Sequence, residues 1–270
     1  MLDNPRSPRV RAVAKLAKRP ARVETGLFLL EGPQAVSEAL TFRPQLLVEL
    51  YATPTALERY PDIAQAAESV ADLEIEFVTE EVLNVMSDTV TPQGFIAVAH
   101  QFPTSMKDIF AAKPRLIAIL EEVRDPGNLG TIIRAADSAG ADAVILTGRT
   151  VDLYNPKVVR STTGSLFHLP IAVGAELPTV IERAHAAGLT VLAADVKGES
   201  LLDARASGSL ARPTAWLFGN EAHGLSDEQL PLADAAITVP IYGHAESMNL
   251  ATAASVCLYE SAFAQRSEAS

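Results

Sequence analysis

Six short apolar runs alternate with helix-like stretches through the second half of the chain. They are Leu116–Leu120, Ala143–Leu146, Leu169–Val173, Thr190–Ala194, Ala215–Phe218 and Ala236–Pro240. The spacing predicts helices over Gly130–Ser138, Pro156–Ser161, Thr179–Ala187, Asp227–Ala233 and Asn249–Ala264, with Gly140 and Gly188 where helix C-caps belong. Continuous apolar runs of this length suit strands buried on both faces. Alternation with helices then predicts an α/β fold with a parallel sheet covered on both sides. No internal repeat of fixed period is present.

The first half carries the alternation more loosely. Strands are predicted at Leu27–Leu30, Leu46–Tyr51, Ile75–Val78 and Phe95–Ala99, the last after the turn signal Pro92-Gln93-Gly94. Helices are predicted from Pro33 to Leu40, Thr55 to Val70 and Glu80 to Met86. This describes a small βαβ-type layer sandwich. Residues 103–114 lack periodicity and hold Pro103 and Pro114, so they read as a linker. The expected organisation is a first domain over 1–102, a linker over 103–114 and a second domain over 115–270.

Composition narrows the class. Hydrophobic residues make up 48% and charged residues 20%, as in a packed globule. No apolar run approaches the roughly 18 residues of a membrane span, and the first residues lack the apolar core of a secretory signal. The single cysteine, Cys257, excludes a disulfide framework and falls on the apolar pattern of the last helix, as an inert buried thiol would. The expected setting is the cytoplasm, with no membrane and no metal.

The net charge of -11 at first argues against nucleic acid. Its distribution reverses that reading. Met1 to Arg22 holds seven basic residues (Arg6, Arg9, Arg11, Lys15, Lys18, Arg19 and Arg22) against Asp3 alone, a net +6. From Val23 to Ser105, thirteen acids oppose Arg43 and Arg59, a net -11. A basic arm on an acidic body suits a polyanion binder, because phosphate neutralisation is local and screened beyond about 8–10 Å. The same pattern also describes a helix with a solvated face, and both readings stay open.

Parallel α/β sheets bind ligands at the carboxyl ends of their strands, so the turns there carry the functional information. None holds G-x-G-x-x-G, G-K-[ST] or G-x-S-x-G, and His100, His168, His185, His223 and His244 show no metal-ligand spacing. Three turns do carry polar groups. The first, after Leu116–Leu120, runs Asp125-Pro126-Gly127-Asn128-Leu129-Gly130, with Arg134 a turn or two into the next helix. Asn128 could serve there as a plain N-cap. The second is Phe218-Gly219-Asn220-Glu221-Ala222-His223-Gly224-Leu225-Ser226. In it Ser226 and Gln229 have capping-box spacing, while Glu221 has no evident structural duty. The third, Pro240-Ile241-Tyr242-Gly243-His244-Ala245-Glu246-Ser247-Met248-Asn249, opens a long Ala-rich helix.

Taken in order, these turns resemble the three motifs of the SpoU (TrmH-like) family, 2′-O-ribose RNA methyltransferases of the SPOUT superfamily. The matching residues are Asn128-x5-Arg134, Phe218-Gly219-x-Glu221-x-x-Gly224-Leu225 and Pro240-x-x-Gly243-x3-Ser247-Met248-Asn249. The segment Pro156-Lys157-Val158-Val159-Arg160-Ser161-x-x-Gly164-x3-His168-Leu169-Pro170 also fits. Met248 stands where leucine is common, a harmless apolar exchange. Through Phe28-Leu29-Leu30-Glu31-Gly32 and Thr91-Pro92-Gln93-Gly94, the first domain is similar to the ribosomal-protein-like substrate-binding domain often fused to such enzymes.

The resemblance implies a C-terminal trefoil knot, an S-adenosylmethionine pocket and a homodimer. It maps cofactor contacts onto Gly219, Val239, Ile241 and Met248, and the catalytic set onto Asn128, Arg134, Glu221, Ser247 and Asn249. It implies methyl transfer to a ribose 2′-OH, and the extra first domain points to ribosomal RNA. The rival readings are a transfer-RNA 2′-O-methyltransferase and a non-catalytic RNA-binding protein that kept the fold.

Overall fold

The computed structural model describes residues 1–267, so the last three residues of the second expected domain lie outside it. The chain forms two compact units. The first is Met1–Phe102 with Asp152–His168, and the second is Pro103–Val151 with Leu169–Ser270.

The first unit contains α1 (Pro8–Lys15), α2 (Arg19–Thr25), β1 (Leu27–Glu31), α3 (Pro33–Phe42), β2 (Leu47–Ala52), α4 (Pro54–Arg59), α5 (Pro61–Glu68), β3 (Ile75–Phe77), α6 (Glu80–Met86), β4 (Phe95–His100) and the later helix α9 (Pro156–Thr162). Its sheet order is β1-β4-β2-β3. Strand β4 is antiparallel to both β1 and β2, and only β2 and β3 run parallel. The sheet is therefore mixed and only partly of βαβ type, because alternation of elements does not fix strand direction. The single helix expected over Thr55–Val70 is two, since Pro61 starts a new helix instead of continuing the first.

The basic N-terminal segment is not a free arm. Val10, Val13 and Leu16 are buried in one core cluster with Leu29, Tyr51, Val78 and Val82. Arg22, only 2% exposed, donates to the carboxylate of Asp152 (Nε, 2.9 Å) and to the Leu16 carbonyl (2.8 Å). Arg9 donates to the Tyr51 hydroxyl at 2.8 Å and lies over its ring. The fully solvated reading thus fails for these two cations. Arg6, Arg11, Lys15, Lys18 and Arg19 remain exposed.

The second unit contains α7 (Met106–Ala111), β5 (Leu116–Glu121), α8 (Pro126–Ala139), β6 (Ala143–Thr147), β7 (Ile171–Ala175), α10 (Leu177–Ala186), β8 (Thr190–Ser200), α11 (Leu201–Ala206), β9 (Thr214–Phe218), β10 (Ala235–Thr238) and α12 (Leu250–Ser267). Its six strands are all parallel in the order β10-β8-β9-β5-β6-β7. Every residue of β5, β6 and β9 is buried, which is why these strands read as unbroken apolar runs. Trp216 is fully buried and still satisfies its indole N–H, which donates to Ser261 Oγ of α12 at 2.9 Å. Cys257 is buried on the same helix, and burial pushes its thiol pKa up to about 12.

Several sequence expectations need correction. The stretch read as a linker, 103–114, folds as α7, capped by Ser105 and anchored by Ile109 in the core of the second unit. Two turns with one fully buried side chain are too brief to show a period. Helix α8 starts at Pro126, four residues early, because Asp125 caps it and Pro126 occupies its first turn. Asn128 is therefore inside the helix and not its cap. The helix expected over Asp227–Ala233 shrinks to a 3-10 turn at Leu230–Leu232, since Pro231 has no N–H to continue it. The reciprocal Ser226 and Gln229 cap forms regardless, with N···O distances of 2.9 and 3.2 Å. Among the described residues, no helix is long and apolar enough to cross a membrane.

Candidate functional site

The second sheet changes direction at β5. Strands β6 and β7 extend from one side of it, while β9, β8 and β10 lie on the other. Because all six strands are parallel, the turns after β5, β9 and β10 share the carboxyl edge, where such sheets bind ligands.

The turn after β9 is closed by paired backbone bonds between Asn220 and Gly224, at 3.1 and 2.9 Å. Gly219 makes this closure possible. A Cβ at that position would sit 2.5 Å from the Gly224 carbonyl carbon, too close for any side chain. Asn220 then donates to the Glu122 carbonyl at 2.8 Å, tying this turn to the one after β5.

Glu221 makes the stronger tie. Its carboxylate accepts from the backbone N–H of Asp125 (2.9 Å) and of Arg124 (3.1 Å), and from Asn128 Nδ2 (3.3 Å). Partial burial pushes its pKa up, but these donors outweigh burial and hold it below the ordinary carboxylate range. Asn128 Oδ1 in turn accepts from Asn249 Nδ2 at 3.0 Å. Asn249 Oδ1 accepts from Ala251 N at 2.9 Å, which satisfies an orphan donor at the start of α12. A continuous hydrogen-bonded path therefore links the turns after β5, β9 and β10.

Beside this path lies a cavity of about 330 Å³. Val239, Ile241 and Met248 line it, and Ser247 and Glu221 add polar edges. The structure thus places three of the four expected cofactor residues on the cavity wall. Gly219 is not among the lining residues; it shapes the turn beneath. Of the expected catalytic set, Asn128, Glu221 and Asn249 are hydrogen-bonded together, and Ser247 shares the cavity with Glu221. Arg134 stands apart. It lies on the exposed face of α8 with Gly127, Thr131 and Ser138, about 9 Å along the axis from Asn128. No ion pair or hydrogen bond to Arg134 is found among the described residues.

The sequence reading missed one wall of the cavity, Ala194-Asp195-Val196. Strand β8 does not stop at Ala194 as expected. It pairs with β10 through Leu192 and Ala193, loops out, and pairs again through Glu199 and Ser200. Asp195 Oδ1 accepts from Lys197 N at 2.8 Å to shape the loop. Gly198 lets the strand return, since a Cβ there would lie 2.3 Å from the Ala236 backbone. The available signal was a glycine just past an apolar run. Among the described residues, no group of three or more His, Cys, Asp or Glu side chains could hold a metal ion.

Comparison with known proteins agrees with this architecture. The SpoU rRNA Methylase family model matches residues 115–259. A second model, RNA 2′-O ribose methyltransferase substrate binding, matches residues 29–105. The 23S rRNA (guanosine(2553)-2′-O)-methyltransferase RlmP of Bacillus subtilis is 33% identical over 96% of this chain and 97% of its own length. The 23S rRNA (uridine(2479)-2′-O)-methyltransferase of Streptomyces viridochromogenes is 30% identical over 92% of this chain and 86% of its own. Among solved structures, the AdoMet-bound rRNA methyltransferase from Sinorhizobium meliloti superposes with a TM-score of 0.81 at 33% identity, covering 94% of each chain. With two family models and full-length relatives in agreement, the chain belongs to the SpoU rRNA methylase family.

Proposed function

We propose that this chain transfers a methyl group from S-adenosylmethionine to a ribose 2′-OH of ribosomal RNA. The observation that carries the reading is the Glu221, Asn128 and Asn249 path beside the apolar cavity, in a chain of this family. The cavity fits the cofactor. Its volume lies in the range of small-molecule sites, and Asp195 and Glu221 provide carboxylates suited to a cationic ligand. Val239, Ile241 and Met248 would hold the cofactor, on a turn kept in shape by Gly219. When bound there, S-adenosylmethionine supplies an electrophilic methyl group on a sulfonium.

The chain's own residues handle the other reactant. Arg134 would bind the RNA and stabilise the alkoxide developing at the 2′-oxygen. A guanidinium has no lone pair to take a proton, so this role suits it, and the hydroxyl proton would pass to solvent water as the methyl group is transferred. Asn128, Glu221, Ser247 and Asn249 would keep the cofactor and ribose in register. Support for ribosomal over transfer RNA comes from the named substrates of the full-length relatives. The test is incubation with methyl-labelled S-adenosylmethionine and ribosomal or transfer RNA, followed by alkaline hydrolysis. A 2′-O-methyl group protects the adjacent linkage, so label should appear in alkali-resistant dinucleotides from ribosomal RNA. Label only in mononucleotides, or only from transfer RNA, overturns the reading. No cofactor binding at all favours the non-catalytic RNA-binding alternative.

Gly219→Ala should lower stability by about 1–3 kcal/mol through forced overpacking. It should also abolish the thermal stabilisation that S-adenosylmethionine gives the parent. A mutant melting like the parent, with and without cofactor, refutes the close-approach argument.

The reading extends to a trefoil knot, a homodimer and a cytoplasmic setting. The knot is supported by the path after β10. That strand pairs at the sheet edge, yet α12 packs against α8, β9 and β5 at the sheet's centre. Exposed Tyr242, on the turn before α12, supports contact with a second copy. A mass by light scattering of twice the chain mass is the expected result. Ribosomal RNA as substrate supports the cytoplasm.

RNA attraction is assigned to the exposed cations Arg6, Arg11, Lys15, Lys18 and Arg19. Reversing all five to glutamate should weaken RNA binding and flatten its salt dependence, by about 0.7–0.9 log units per log salt for each lost phosphate contact. These side chains lie outside the core, so the melting temperature should hold. An unchanged salt slope would show that they face only water.

A further inference from the structure

The first unit has a cavity of its own, about 220 Å³ in volume. Its wall is built from Glu31 at the end of β1, Gly32 next to it, Ser87 and Thr89 after α6, the turn Thr91–Gln93, Phe95 of β4 and Arg160 of α9. We propose that this cavity receives one extruded nucleobase of the RNA substrate, held by its carbonyl-bearing edge. The proposal rests on the reading that RNA is the substrate and adds what the first unit recognises in it.

Glu31 looks at first like the binding group, but its capacity is spent. Its side chain is 4% exposed. It accepts from Arg160 Nη1 at 2.7 Å, from the N–H groups of Asp88 and Thr89 at 3.1 Å each, and from the hydroxyls of Ser87 and Thr89. Its work is to hold the wall. Arg160 also reaches Asp88 through Nη2 at 3.1 Å. A guanidinium carries five N–H groups, so after these bonds it keeps donors to spare, and its side chain is 27% exposed.

Charge balance selects the ligand class. Glu31 and Arg160, the charged residues of the cavity wall, cancel, so the wall offers no net positive charge to draw a phosphate and tolerates a neutral ring. Phe95 supplies an apolar wall. The open polar groups are the Gln93 carboxamide and the Thr91 hydroxyl, neither hydrogen-bonded to another described side chain. Helix α3 begins at the same wall with Gly32 as its N-cap, so no side chain caps its first turn. Donors from Arg160, Gln93 and a helix start outnumber free acceptors. That set matches the O6 and N7 edge of guanine or the O4 of uracil better than the amino-bearing edges of adenine or cytosine. Single-stranded RNA is read this way, by bases splayed out of the stack.

The test titrates the full chain with guanosine, uridine, adenosine, cytidine and inorganic phosphate, following the Gln93 side-chain amide by NMR. Guanosine or uridine should shift that signal at concentrations at least about fivefold below adenosine and cytidine. Gln93→Ala should then raise the KM for the RNA substrate about tenfold, with kcat and S-adenosylmethionine affinity unchanged, as loss of one base-reading contact predicts. Thr91→Val, which conserves volume, is the second variant and should raise the same KM. Phosphate shifting the signal ahead of every nucleoside overturns the proposal in favour of an anion site. So does the absence of any nucleoside response, or a parental KM in both variants. Failure of the methyltransferase reading shows differently: nucleosides still bind at Gln93, and no RNA is methylated.

Discussion

Arg134→Ala should lower methyl transfer by at least about 100-fold while S-adenosylmethionine binds as it does to the parent. Loss of one preorganised stabiliser of developing negative charge typically costs that much. The cofactor term should not move, because Arg134 is exposed on α8 and absent from the cavity wall. Stability should also hold, since no described group depends on its guanidinium. Arg134→Lys should recover only part of the rate. Lysine keeps the charge but loses the planar fork that grips two oxygens at once. Single-turnover rates with saturating cofactor check this directly. A mutant within a few-fold of the parent would remove Arg134 from the chemistry.

The second large effect is expected at Glu221, by a different route. Glu221→Ala releases the N–H groups of Arg124 and Asp125 and the amide of Asn128. The site is open enough for water to take these donors, so the melting temperature should fall by only a few degrees. Geometry has no such substitute. A shift of about 1 Å in a reacting group costs on the order of 100-fold, and the path through Asn128 to Asn249 would no longer be anchored. Large loss of rate with small loss of stability is the expected signature. The pH dependence has a definite sign. Hydrogen bonding holds the folded pKa of Glu221 below its ordinary value. Its stabilising contribution is therefore complete above the ordinary carboxylate range and lost as pH falls through the lowered folded value. The parent should keep cofactor affinity on mild acidification and lose it in stronger acid. Glu221→Gln should lack that acid-side step, as a titration of affinity against pH would show.

How much was legible beforehand follows from which forces are local. Strands β5, β6 and β9 announced themselves because burial on both faces demands unbroken apolar runs. Glu221 stood out because a carboxylate between two glycines at a strand end had no evident structural duty, whereas Asn128 and Asn249 were singled out by the family resemblance. Their mutual contacts were invisible, since Glu221 reaches Asn128 across 93 residues and Asn249 reaches it across 121. The loop in β8 depends on pairing with β10, and no local pattern encodes a partner strand's register. The basic segment misled for a related reason. Arg22 looked like any other cation, yet it is buried, and its partner, Asp152, lies 130 residues away.

That distant pairing has a consequence for the order of events during synthesis. Arg22, Glu31 and Glu38 meet Asp152, Arg160 and His168, which enter the first unit from a segment translated much later. When Phe102 has left the ribosome, Arg22 still lacks the carboxylate it is buried against. At about 5–20 residues per second, the wait for Asp152 lasts roughly 3–10 seconds. The nascent first unit must pass that interval incomplete, with a charged side chain unable to settle into its core. Its last structural step therefore coincides with emergence of the 152–168 segment, and a chain terminated at residue 102 should be far more protease-sensitive than the same residues in the full protein.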